Sequence, residues 1–154
     1  MPTSLYGQGD NFDLRASHVV PALMRKAHEA KLAGAASIPV WGTGTPRREF
    51  LHVDDCADGV IHLMKHYDGY EHVNVGSGVD LPIGELARMI CHVVGFGGEL
   101  EFDSSFPDGT PRKLMSSAKL EAMGWKSSIG LEDGLRKTYR WFLENQADLR
   151  RDRV

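Results

Sequence analysis

The sequence predicts a single mixed α/β domain. The chain has 154 residues, which is the usual length of one domain with one hydrophobic core. Short extended segments alternate with longer segments in which apolar residues recur at helical spacing. Hydrophobic residues make up 42% of the chain and charged residues 25%, ordinary values for a globular protein, and the sequence contains no internal repeat or low-complexity linker.

The first quarter of the chain predicts a strand, a helix and a second strand. TSLYG is typical of the end of a strand that runs into a polar loop, within residues 1–16. Ser17 is expected to cap a helix that continues to about Gly34, with Pro21 tolerated in its first turn. The apolar face of this helix carries Val20, Leu23, Met24 and Ala27. IPVWG then predicts a short strand.

The central part predicts two further strands, each followed by a helix. EFLHV is a strand, and Asp54 is expected to cap the next helix, whose apolar stripe consists of Ala57, Val60, Ile61 and Met64. HVNVGSG is typical of a buried strand that glycines bring to an end. Pro82 opens a third helix with its apolar side formed by Ile83, Leu86, Ile90 and Val93.

The last third predicts one strand, a long loop and two helices. ELEFD is the strand, and SSFPDGTPRK is a loop rich in turn-forming residues. A short helix carrying Leu120 ends at Gly124. The final helix begins near Leu131 and continues past Trp141, and residues 149–154 are expected to form a solvated tail.

The composition excludes several classes of function. A formal net charge of −3 favours neither nucleic acid nor anionic membranes as partners, and no apolar run approaches the ~20 residues that span a bilayer. Cys56 and Cys91 form no metal-binding or C-x-x-C pattern, which fits two buried thiols in a cytoplasmic protein. His62 and His66 lie at i, i+4, but no third ligand accompanies them, so no metal is expected.

Generic motifs are absent, and the polar loops are more informative. GTGTPR and GSGVDL both lack the third glycine of a dinucleotide-binding loop. Trp41 offers a flat face to a base or sugar, Arg47 and Arg48 can fork onto phosphate oxygens, and Asp108 can accept hydrogen bonds from hydroxyl or ring N–H groups. Each residue alone is more often a core, surface or turn residue. Together they favour a pocket for a nucleotide sugar.

The chain also resembles a known family. The strings that carry the resemblance are, in order, PTSLYGQGDNFD, SHVVPALMRKAHEAK, VWGTGTPRREFLHVDD, HVNVGSG, FDSSFPDGTPRKL and LEDGLRKTYRWFLENQ. In order and spacing they are similar to the C-terminal, substrate-binding part of the GDP-L-fucose synthases, NADPH-dependent 3,5-epimerase/4-reductases of the extended short-chain dehydrogenase/reductase family. The resemblance implies that residues 1–16 form a strand and loop returning to a Rossmann sheet, and that residues 17–148 form the substrate domain.

The resemblance implies roles for individual residues. Those expected beside the nicotinamide end of NADPH are Pro2, Thr3, Ser4, Leu5 and His18. His18 is also the expected acid/base residue of the epimerisation, and a position at a helix N-terminus favours its neutral imidazole. The residues expected to contact the GDP-sugar are Lys26, Trp41, Arg48 and Asp108.

Other parts of the family's machinery have no counterpart in the sequence. It contains neither the glycine-rich phosphate loop nor the Ser and Tyr-x-x-x-Lys group that drive hydride transfer, and Cys56 and Cys91 do not match the family's catalytic cysteine. The resemblance therefore implies a chain without the N-terminal Rossmann half. NADP(H) would be bound mainly by that half, and the 154 residues alone are expected to lack reductase activity.

These observations favour one function and leave an alternative open. The favoured function is the substrate-binding portion of an enzyme that converts GDP-4-keto-6-deoxymannose to GDP-L-fucose. The alternative is a nucleotide-sugar-binding module, or a non-catalytic remnant of another NDP-sugar epimerase/dehydratase. A GDP-sugar is the expected partner, and unpaired strand edges predict a homo-oligomer such as a dimer.

Overall fold

The computed structural model describes residues 1–146 and confirms the predicted mixed α/β class. The strands are β1 (Ser4–Tyr6), β2 (Ser37–Trp41), β3 (Arg47–His52), β4 (Asp80–Pro82), β5 (Glu99–Asp103) and β6 (Arg112–Lys113). The helices are α1 (Val19–Ala33), α2 (Val53–His66), α3 (Ile83–Val94), α4 (Ala118–Ala122) and α5 (Leu131–Glu144). The predicted solvated tail, residues 149–154, lies outside the described residues.

Strand β3 organises the larger sheet. Its last three residues pair in parallel with β1, so that Ser4 lies opposite Phe50. Its first three residues pair antiparallel with β4, and Arg47 and Arg48 also pair in parallel with β6. Strands β2 and β5 form a separate parallel pair. Because its partners β1, β4 and β6 are far apart in the sequence, β3 brings distant loops to one place.

Two hydrophobic clusters hold these elements together. The larger lies among α1, α3, α5 and β2, and its fully buried members include Met24, Leu86, Ile90 and Leu135. The smaller lies beneath α2 and includes Leu51, Val75, Leu120 and Trp125. Within residues 1–146, no helix combines the length and apolar character needed to cross a bilayer.

Both predicted serine and aspartate caps are wrong. Helix α1 has His18 as its N-cap, and the Ser17 hydroxyl is buried without a partner in the described part of the chain. Helix α2 begins at Val53, because the Nδ1 atom of His52 accepts the Asp54 N–H at 3.2 Å. Asp54 therefore lies in the first helical turn, where its negative charge interacts favourably with the positive end of the helix dipole.

The apolar stripe of α2 faces outward. Val60 is 46% exposed, Ile61 49% and Met64 80%. The cause is a close approach on the opposite side of the helix, where Gly59 packs against Val75 and Trp125 and a Cβ atom would lie 2.9 Å from the Val75 side chain. The glycine sets the roll of the helix, and the stripe is left uncovered within residues 1–146.

In the HVNVGSG segment Val73, Val75 and Gly76 are buried, but the segment forms a single bridge rather than the predicted strand. Pro2 and Val75 are bridge partners, and the Thr3 N–H donates to the Val75 carbonyl at 3.1 Å. Strands β4 and β6 were not predicted, because two or three residues are too few to show an alternating pattern.

Candidate functional site

A cavity of about 930 Å³ opens beside β1, the N-terminus of α1 and β3. Seven of the predicted site residues line it, namely Pro2, Thr3, Ser4, Leu5, His18, Trp41 and Arg48. The cavity thus brings together predicted site residues that lie far apart in the sequence, from Pro2 to Arg48. Lys26 and Asp108 lie outside this lining.

Strand periodicity explains which β3 residues face the cavity. Side chains two apart on a strand point to the same face, and both Arg48 and Phe50 line the cavity. Glu49, between them, points the other way and is 1% exposed. His18 reaches the cavity as the N-cap of α1, where the chain leaves the loop that follows β1.

The two adjacent arginines have different partners. Arg47 Nε lies 3.1 Å from Asp80 Oδ1, and its Nη2 lies 2.8 Å from the Asp80 carbonyl oxygen. Hydrogen bonds from Arg112 and Arg47 hold the pKa of the Asp80 carboxyl below its usual value. Arg48 instead donates from Nη1 to the Arg47 carbonyl at 2.7 Å while it lines the cavity. Arg48 is therefore the member of the pair that faces the cavity.

Trp41 enters the cavity wall already packed against protein groups. Its ring stacks on Phe106, with centroids 4.5 Å apart and planes 8° from parallel. Lys26 Nζ lies 4.8 Å from the Trp41 ring centroid and donates to the Pro39 carbonyl at 3.1 Å. Burial lowers the pKa of Lys26. Lys26 thus supports Trp41 rather than lining the cavity itself.

Asp108 fastens the loop of residues 104–111 to the loop after β2. Its Oδ1 accepts the Thr43 N–H at 2.7 Å, and its Oδ2 accepts the Thr43 hydroxyl at 2.8 Å. Gly42 is required here, because its φ is +80° and a Cβ atom would overlap the Asp108 carboxylate. Asp108 therefore shapes the loop that follows Trp41.

The site residues predicted from the sequence do not include one wall of the cavity. That wall is formed by Lys113, Leu114 and Met115, with Ile83 nearby. Lys113 lies opposite Arg48 in the β6–β3 register, so two cationic residues line the same cavity. The string PDGTPRK already contained Lys113, but only the two-residue pairing of β6 with β3 reveals its place.

The histidine pair on α2 offers no metal site. His62 Nε2 lies 2.9 Å from the Met123 carbonyl oxygen, and the His62 and His66 ring centroids are 4.5 Å apart. Across residues 1–146, no group of three or more His, Cys, Asp or Glu side chains is arranged to hold a metal ion.

Comparison with known proteins connects this geometry to a family. The model of the NAD dependent epimerase/dehydratase family matches residues 1–76. "Probable GDP-L-fucose synthase 1" of Oryza sativa subsp. japonica is 61% identical to the chain over 145 residues, which are 94% of this chain and 44% of that protein. The chain is similar to GDP-L-fucose synthases over nearly all of its length, and its first 76 residues match the model of that wider family. The resemblance read from the quoted strings is thereby confirmed.

Two further relatives are similar over the same extent. GDP-L-fucose synthase of Escherichia coli (strain K12) is 54% identical, covering 95% of this chain and 48% of that protein. The solved structure of a GDP-L-fucose synthetase from Naegleria fowleri bound to NADP superposes with a TM-score of 0.91 at 34% identity, covering 97% of this chain and 47% of that one. The chain spans a little under half the length of the relatives it matches.

Proposed function

We propose that this chain provides the GDP-sugar site of a GDP-L-fucose synthase, which converts GDP-4-keto-6-deoxymannose to GDP-L-fucose by 3,5-epimerisation and NADPH-dependent 4-reduction. The observation that carries the proposal is the meeting of Arg48, Trp41 and His18 in one cavity. The cavity thus combines a guanidinium fork for phosphate, from Arg48, with the aromatic wall of Trp41 and the acid/base group of His18. The identity to relatives that bear this name supports the proposal.

Each side chain has a role that follows from its chemistry. The Arg48 guanidinium and the Lys113 ammonium bind the diphosphate, since both cations line the cavity. Trp41 provides a flat surface for the nucleotide sugar, supported by Lys26. Asp108 acts on the same site by holding the Gly42–Thr43 backbone in place. Lys26 and Asp108 thus contribute mainly through the residues they position.

His18 is the proton-transfer group in this proposal. A hydrogen on the carbon beside a ketone is acidic enough for an imidazole to remove. The His18 ring can remove a proton from, or donate one to, only the face of the sugar that it contacts, so each inversion also needs a second acid/base group on the opposite face. His18 is an exposed residue at the cavity edge, so a sugar can reach its ring.

The first residues of the chain fit the reactive end of NADP(H). Pro2, Thr3, Ser4 and Leu5 line the same cavity as His18, so a nicotinamide ring against this wall lies beside the sugar. When bound, the cofactor supplies the hydride for reduction at C4. The wall's contribution is to orient the ring and to limit the access of water.

Calorimetric titration of GDP into the chain tests the proposal. We expect saturable binding that Trp41→Ala removes, because the alanine deletes an aromatic wall of the cavity. Tyr70→Ala is a suitable control, since Tyr70 is a fully exposed aromatic residue outside the cavity lining. Absence of GDP binding by the unaltered chain contradicts the proposal. Equal affinity for GDP and UDP favours the alternative, a general nucleotide-sugar-binding module.

We also propose that the chain forms a homodimer in the cytoplasm. The free thiols of Cys56 and Cys91 suit a reducing compartment, and the exposed stripe of α2 invites association. Light scattering coupled to size exclusion should give twice the 17.1 kDa chain mass. Met64→Glu, which places a charge in the stripe, should shift the protein towards a monomer. A monomer at every concentration refutes the dimer.

A further inference from the structure

A buried carboxylate beside the cavity has no part in the proposed chemistry. Glu49 lies in β3 between the cavity residues Arg48 and Phe50, and it is 1% exposed. Burying a carboxylate is costly unless hydrogen-bond donors surround it. Its Oε1 accepts the Gly78 N–H at 2.8 Å, and its Oε2 accepts the Met115 N–H at 3.2 Å.

The Glu49 carboxylate accepts a hydrogen bond beyond the point where the backbone pairing of β3 with β6 ends. Strand β6 pairs with β3 only through Arg112 and Lys113, and the ladder ends before Met115. The Glu49 side chain accepts the Met115 N–H two residues beyond the end of that ladder. The cavity wall of residues 113–115 is therefore tied to β3 by two short elements, the β6 ladder and this carboxylate.

The same residue also reaches two other segments. The loop of residues 76–78 packs directly against the carboxylate, and a Cβ atom at Gly76 would overlap Glu49 Oε1. The Glu49 backbone carbonyl accepts the Thr3 hydroxyl at 3.3 Å, and Thr3 lines the cavity. One buried residue thus links both sides of the cavity to a third loop.

We propose that Glu49 is a positioning residue that holds the 113–115 wall, and with it Lys113, in place for the GDP-sugar. The inference rests on the proposed function for its ligand, and on the Glu49 hydrogen bonds for its geometry. Glu49→Gln is the informative variant, because it preserves shape but leaves a single acceptor oxygen. Its amide group must then face one of the two N–H donors.

Amide hydrogen exchange followed by NMR tests the geometry without any ligand. In Glu49→Gln we expect the Met115 amide, which has the longer hydrogen bond, to exchange about tenfold faster, while amides of α3 keep their protection. Glu101→Gln is the matched control, because Glu101 is an exposed residue of β5. It should leave the exchange rates of the Met115 and Gly78 amides unchanged. Unaltered Met115 and Gly78 exchange in Glu49→Gln overturns the proposal.

Titration with GDP then tests the consequence for binding. We expect Kd to rise about tenfold in Glu49→Gln and to stay unchanged in Glu101→Gln. A faster Met115 amide with unchanged GDP affinity refutes the positioning role. Failure of the unaltered chain to bind GDP refutes the proposed function, and the exchange data still decide whether Glu49 holds the wall. If Glu49→Gln does not fold, Glu49→Asp keeps the charge, is one methylene too short to reach both donors, and should release Met115 in the same way.

Discussion

Replacing Arg48 by methionine is expected to weaken GDP binding by about a hundredfold, the equivalent of two hydrogen bonds to a charged group. Arg48 is the member of the arginine pair that lines the cavity, whereas Arg47 is held by Asp80. The GDP affinity of Arg48→Lys should lie between those of the unaltered chain and of Arg48→Met, with a loss of about tenfold. An ammonium group keeps the charge but not the planar fork of the guanidinium. Calorimetric titration with GDP measures both variants.

The matched control for this prediction is Arg88→Met. Arg88 is an exposed arginine on α3 outside the cavity lining, so its loss should leave the GDP affinity unchanged. The affinity of the unaltered chain should also fall as salt is added, since the contact is ionic. Equal affinity of Arg48→Met and the unaltered chain would remove Arg48 from the site and leave Lys113 as the phosphate-binding cation of the cavity.

Replacing Leu86 by alanine is expected to lower the free energy of unfolding by about 3 to 5 kcal/mol, the range for fully buried leucines. Leu86 lies in α3, is 0% exposed and belongs to the cluster shared with α1 and α5. The loss combines removed apolar burial with the cavity that remains in a packed core. Urea unfolding at fixed protein concentration, monitored by circular dichroism, gives the value.

Leu32→Ala makes the same chemical change on another helix and serves as the control. Leu32 lies near the end of α1 and is 74% exposed, so its replacement should cost less than about 0.5 kcal/mol. Similar losses in both variants would mean that α3 does not pack against α1 and α5 as described. A Leu86→Ala loss below about 1 kcal/mol would lead to the same conclusion.

Much of the fold could be predicted because its signals are local. Helix α1 ends where Gly34 adopts a left-handed conformation, and α3 starts directly after Pro82, as the sequence indicated. Leu86 and Ile90 are completely buried on the predicted side of α3. Glycine, proline and apolar spacing act within one or two turns of helix, so their effect can be read from neighbouring residues alone.

The candidate site could be predicted only in part. The quoted strings selected Trp41, Arg48 and His18, and these residues line one cavity. The strings did not select Lys113, whose position depends on a two-residue ladder with β3. The predicted boundary between residues 16 and 17, with a separate substrate domain after it, stays a prediction.

The sequence by itself determined the mixed α/β class, the resemblance to the GDP-L-fucose synthases and the main helices of this protein. Only the tertiary structure showed why Arg48 rather than Arg47 faces the cavity, since Asp80 holds Arg47. Only packing likewise set the roll of α2, where Gly59 meets Trp125 and the apolar stripe turns outward. The physical reason is common to both. Periodicity and capping are properties of neighbouring residues, whereas the partner of a charge and the buried side of a helix depend on contacts between segments far apart in the chain.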